Sequence, residues 1–130
     1  MIIDIFNEVY SKLKTELSDV TVLPSYPTGD VTFPIVTIQE LSNVADTFTR
    51  DTSGNFTSSV TYEVNIFSNK TNSNSESREI RNKIELILGK GYGMGRNYSN
   101  ETPNFLDSNI YRYTMRYSFT IDNNKKIYRR

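Results

Sequence analysis

The residues with the most chemical potential in this sequence are a glycine-rich run, a short acidic loop, two arginines and a scatter of carboxylates. The run Gly89-Lys90-Gly91-Tyr92-Gly93-Met94-Gly95 has glycine at every second position. Such runs cradle phosphates when they follow a strand and open a helix, because the helix amide groups then point at the anion. This one follows a helical pattern and precedes a strand pattern, and it lacks the Gly-Lys-Ser/Thr ending of a phosphate loop, so no nucleotide site is expected. Asp51-Thr52-Ser53-Gly54-Asn55-Phe56 faintly resembles the start of a calcium loop. Phe56 stands where that loop needs glycine, and Tyr62 where it needs a bidentate glutamate. Arg112 and Arg116 fall on one face of a strand pattern and can clamp an anion or a partner's carboxylates, or pair with Glu40 or Glu63 on a neighbouring strand. Asp107 and Asp122 also lie on or beside strands, but nothing fixes an acid–base pair, a nucleophile or an oxyanion hole. The sequence has no His and no Cys. It therefore lacks the commonest general base and metal ligand, and it lacks thiolate sites and disulfides. No catalytic residue, cofactor or metal is expected.

The length of 130 residues suits one domain covering 1–130, and the 36% hydrophobic content permits a core. Fifteen basic residues balance fifteen acidic ones. Zero net charge argues against a protein whose main task is neutralising a phosphate backbone. The N-terminal apolar residues are interrupted by Asp4, Asn7 and Glu8 with no basic flank, unlike a signal peptide, and nothing reaches the ~20 apolar residues that span a bilayer. A soluble chain made in a cytoplasm, with no membrane partner, is the expectation.

Ile2, Phe6, Val9, Tyr10, Leu13 and Leu17 form a stripe at helical spacing and predict a helix over 3–17. Val20 to Leu23 reads as a short strand stopped by Pro24, and Pro34 to Glu40 as the next strand. Residues 43–55 form a long polar connection, the tip of a hairpin arm; loops of this length are usually functional or unstructured. From Phe56 to Ile66 apolar and polar residues alternate, which predicts a strand with one face on the core and a wetter opposite face. Ile80, Ile84, Ile87 and Leu88 mark a second helix, with Ser73 and Glu76 at capping-box spacing and Gly89 at the left-handed stop. A short strand over 96–100 follows. The last strand runs over 109–122, with Tyr111, Tyr113, Met115, Tyr117, Phe119 and Ile121 facing the core. Residues 123–130 read as a basic, flexible tail. The pattern predicts an α+β fold: an antiparallel sheet of about four to five strands with two helices packed on one face and one long hairpin arm.

The central stretch also carries a resemblance. Tyr62 to Lys70 (YEVNIFSNK), the helix after it, Pro103 to Phe119 (PNFLDSNIYRYTMRYSF) and the earlier strand Phe33 to Glu40 (FPIVTIQE) occur in an order that resembles tail-terminator and tail-completion proteins of long-tailed phages, the head-to-tail joining proteins. Together these pieces cover the last three quarters of the chain. The resemblance implies a virion structural protein at the tail–neck junction, made in the host cytoplasm. It implies a homo-oligomer, a hexameric ring that sits on the tail tube protein, stops tube polymerisation and meets the head-tail connector or stopper, with DNA only passing through the channel. On that reading the arm (Asp46, Phe48, Arg50, Asp51) and the strand face bearing Arg112 and Arg116 are the interface candidates. Two other readings stand beside it. One is a head-side neck protein, a connector or stopper. The other is a nucleic-acid-binding α+β module using the tyrosine-rich last strand and the basic tail.

Overall fold

The computed structural model describes residues 2–24, 33–46, 57–68, 73–101 and 110–129. The chain is an α+β fold. Its elements are α1 (Phe6–Glu16), β1 (Thr21–Leu23), β2 (Ile35–Asp46), β3 (Thr57–Ser68), α2 (Ser73–Ile84), which continues as a π-helical turn (Glu85–Gly91), β4 (Gly95–Glu101), β5 (Tyr111–Asp122) and β6 (Ile127–Arg129). The strand order is β1-β2-β3-β5-β4, with β6 also paired to β5.

One stripe from each helix and one face of the sheet form a single core. Ile5, Val9, Leu13 and Leu17 recur every four residues along α1 and its two caps, and Ile80, Ile84 and Leu88 do the same along α2 and its extension. They join Val36 and Ile38 of β2, Val60 to Ile66 at alternate positions of β3, and Tyr113 to Ile121 at alternate positions of β5. Each large side chain buried this way contributes roughly 1.5–3 kcal/mol, the main stabilising term. The tyrosines and phenylalanine of β5 lie in this core as the alternation predicts.

The structure corrects the expected fold in five places. The sheet is mixed, because β1 runs parallel to β2. A three-residue strand stopped by Pro24 does not turn back as a hairpin; the chain re-enters at Pro34, whose carbonyl accepts the Thr21 N–H at 3.1 Å, and the long connection permits the parallel crossing. The second strand continues through Asn43 to Asp46, paired with Thr57 to Val60 of β3. A bulge between Glu40 and Ser42 absorbs one residue and leaves Leu41 and Val44 exposed. Residues 2–5 lie outside regular structure ahead of α1, with Ile3 and Ile5 buried and Ile2 exposed. Gly89 lies inside the π-helical turn; the positive φ (78°) is at Gly93, after Tyr92 N–H bonds the Ile87 carbonyl at 3.0 Å. The basic tail is tied down, since Ile127 to Arg129 pair with Phe119 to Ile121.

Of the remaining local expectations, the second helix is present but begins at Ser73, which is its first residue and not its cap, and the Glu76 carboxylate accepts the Ser68 hydroxyl at 2.6 Å. Phe48, Arg50 and Asp51 of the arm lie outside the described residues, and Asp46 is the last residue of β2.

Candidate functional site

The face of the sheet that points away from the helix-bearing core is built from odd-numbered residues of β3 and even-numbered residues of β5. Register places Thr61 opposite Ser118, Glu63 opposite Arg116, Asn65 opposite Thr114 and Phe67 opposite Arg112. Every one of these pairs brings complementary groups together, which is the unit of sheet stabilisation. Arg116 Nε donates to Glu63 Oε2 at 3.0 Å, and Arg112 Nη2 lies 3.9 Å from the other oxygen of the same carboxylate. Asn65 is the hub. It donates to Glu63 at 3.1 Å and accepts from Arg112 Nε at 2.9 Å and from the Thr114 hydroxyl at 2.7 Å. Ser118 exchanges a bond with Thr61 at 3.1 Å and accepts from Asn97 of β4 at 2.8 Å.

This face is far drier than alternation suggests. Asn65 is fully buried and Glu63 is 7% exposed. Polar groups can be buried without penalty only when they satisfy one another, and the ladder does so. Its exposed rim is Arg116, which stacks over the Tyr98 ring at 5.2 Å; Arg112 is more enclosed and lies over Phe67 at 5.6 Å. Arg112 and Arg116 are thus brought to one face as predicted, but Glu63 already engages both, so they do not form a vacant anion clamp. Glu40, the other partner weighed for them, stands on β2 opposite Tyr62 and faces the helix side.

A second polar group, not anticipated from the sequence, lies at the π-helical turn. The Tyr117 hydroxyl donates to Glu85 at 2.5 Å, and Arg96 of β4 lies 3.6 Å from the same oxygen. Burial, then the bond to Glu85, pushes the Tyr117 phenol well above its ordinary range. Nearby, Tyr113 bonds Ser99 at 2.6 Å and Arg81 at 3.4 Å. Burial alone would raise Tyr113, but those two bonds and the charges of Arg81 and Arg96 outweigh it and the net shift is downward.

This arrangement holds side chains of β3, β4, β5 and the π-helical turn in fixed polar contacts. The tyrosines that lie nearest the carboxylates are fixed in hydrogen bonds or buried, and among the described residues no group of three or more acidic residues could hold a metal. The aromatic side chains of β5 face the core and so offer no base-stacking platform, while Tyr98 of β4 and Tyr128 of β6 are exposed beside Arg116 and Lys126. Among the described residues no helix is long and apolar enough to cross a membrane. The chain matches no family model and no curated protein. Tyr98 and Asn97 were missed as members of the outer face because the bulge between Arg96 and Tyr98, which sets their direction, leaves no mark in a seven-residue polar strand.

Proposed function

We propose that this chain is a virion structural protein of a long-tailed phage that caps the tail tube as a ring, ends tube polymerisation and forms the surface that joins tail to head. The observation that carries the reading is the outer face of the sheet: a rigid, mutually satisfied polar ladder with an exposed Arg116–Tyr98 rim, where an enzyme of this size would need a cleft. A satisfied face keeps its shape when a partner arrives, which lowers the ordering cost of assembly. The sheet also offers edges for association. Among the described residues, β4 and the part of β2 beyond Thr37 are paired on one side only, and such edges invite strand-to-strand contact. The order of the Phe33 to Glu40, Tyr62 to Lys70 and Pro103 to Phe119 segments supplies the link to phage tails. In this reading the chain performs no reaction, and its partners are further copies of itself, the tail tube protein and the head-side connector or stopper. Co-sedimentation with preassembled tail tubes tests it. Saturable pelleting at a stoichiometry of one ring per tube end is the expected result, and binding proportional to tube length would overturn the capping role.

A further inference from the structure

Two patches of charge with no salt-bridge partner among the described residues lie on opposite lateral edges of the sheet. At the β2 edge, Asp4, Phe6, Pro24, Gln39, Glu40 and Leu41 line an open pocket of about 530 Å³. Neither carboxylate has a Lys or Arg partner among the described residues. Asp4 caps the first turn of α1 through the Phe6 N–H at 2.9 Å, and Glu40 accepts one bond from Asn43 at 3.3 Å. Burial, with the like charge of Asp4 added, holds Glu40 above the ordinary carboxylate range despite the Asn43 bond. The residue opposite Glu40 in the ladder is Tyr62. Its hydroxyl is buried without a hydrogen-bond partner and feels both carboxylates. A cation brought to this pocket would relieve the repulsion between Asp4 and Glu40.

The opposite edge carries the cation. Because β3 occupies the whole length of one edge of β5, β6 lies with β4 on the other. The β5–β6 turn is held by Asp122, whose carboxylate accepts the N–H groups of Asn124 and Lys126 at 2.9 and 2.8 Å. The Lys125 N–H bonds the Asp122 carbonyl at 2.9 Å. Lys125 sits at φ 65°, a left-handed position that turns of this kind ordinarily give to glycine or asparagine. Lys125 and Lys126 are both exposed and have no carboxylate partner among the described residues, and Lys126 Nζ lies over the Tyr128 ring at 5.3 Å. A lysine at a strained turn position, beside a second lysine on a preorganised tip, is a charge kept where local backbone preference argues against it.

We propose that the Asn123 to Lys126 tip of one copy inserts its lysines into the Asp4–Glu40 pocket of a second copy, a head-to-tail contact between opposite edges of neighbouring sheets. Donor and acceptor are on opposite edges, so an edge-to-edge contact uses the tip of one copy and the pocket of the next and leaves the other edge of each free. Repetition of such a contact gives a closed ring or an open chain. The inference deepens the ring reading and rests on it for its biological purpose.

Two variants separate the halves of the contact. Asp4→Asn with Glu40→Gln discharges the pocket, and the amide oxygen introduced at position 4 can still cap α1. Lys125→Gly with Lys126→Gln discharges the tip and relaxes its backbone. Light scattering behind size exclusion, across a concentration series at low and high salt, reads the mass. The wild type is expected to associate beyond a dimer and to weaken as salt rises. Each variant alone is expected to associate about tenfold more weakly or worse. An equimolar mixture of the two is expected to stop at a dimer, since each variant keeps one intact half. A wild type that stays monomeric throughout overturns the contact. So does a wild-type oligomer that either variant reproduces alone, although in that case the ring reading survives on another surface.

Discussion

Truncating Glu63 is the sharpest perturbation of the outer face. The carboxylate is buried and serves Arg116, Asn65 and Arg112 together. Glu63→Ala leaves the Asn65 amide without its acceptor, a loss of about 1–3 kcal/mol for a buried orphan. It also strips the counter-charge from Arg112, whose side chain is 19% exposed. Breaking a fully buried pair costs about 3–5 kcal/mol, but the Arg116 side chain is 47% exposed and water recovers most of its share. The net expectation for Glu63→Ala is therefore about 2–4 kcal/mol. The same reasoning ranks the partners. Arg112→Ala loses the 2.9 Å bond to Asn65 and the contact with Phe67 and should cost about 1–3 kcal/mol. Arg116→Ala should cost about 1 kcal/mol or less. Urea unfolding with a constant slope across the series checks the order. An Arg116→Ala protein as unstable as Glu63→Ala, or a Glu63→Ala protein within about 0.5 kcal/mol of wild type, would refute the idea that this ladder is buried and cooperative.

Three further outcomes follow from the same structure. Gly89→Ala, ordinarily stabilising in a helix, should destabilise here by about 1–2 kcal/mol, because its Cβ would fall 2.5 Å from Glu85 Oε1 and displace the acceptor of Tyr117. In a Tyr117→Phe background that loss should shrink, and a double-mutant cycle on melting temperatures reads the coupling. Tyr62→Phe should be neutral or stabilising by up to about 1 kcal/mol, since the hydroxyl it removes is buried without a partner; thermal melts check the sign. Glu40 titrates above its ordinary value of 4.5 in the fold, so its stabilising contribution is complete below that value and is lost as pH rises through the raised one. Glu40→Gln removes this loss, and the variant's stability relative to wild type should climb as pH rises above 4.5 in urea titrations.

The helix stripes and the β5 alternation were legible in the sequence because each element packs one face on one core. Val9 with Leu13, Ile80 with Ile84, and Tyr113 through Ile121 announce their direction by period alone. The pairing of Glu63 with the two arginines was legible as a possibility, since all three sit on strand faces of matching parity. Its burial was not. Glu63 and Asn65 read as a wetter face because periodicity cannot distinguish a polar group in water from one satisfied across a strand. The parallel β1, the bulge at Leu41 and the π-helical turn were equally hidden: each depends on where a distant segment docks, not on local preference. Gly89 looked like a helix stop because glycines surround it; the left-handed residue is Gly93, four positions on. The pocket bearing Asp4 and Glu40 joins residues thirty-six positions apart in sequence and depends on where the irregular lead-in to α1 lies.

The central claim is that this chain ends a tail tube. Its most direct test is to polymerise the cognate tail tube protein with and without the chain and to measure tube lengths by negative-stain electron microscopy. The account predicts that tubes shorten as the chain is added and that extra ring-shaped density appears at one end. An unchanged length distribution with bare tube ends, at concentrations where the chain is in excess over those ends, would contradict it.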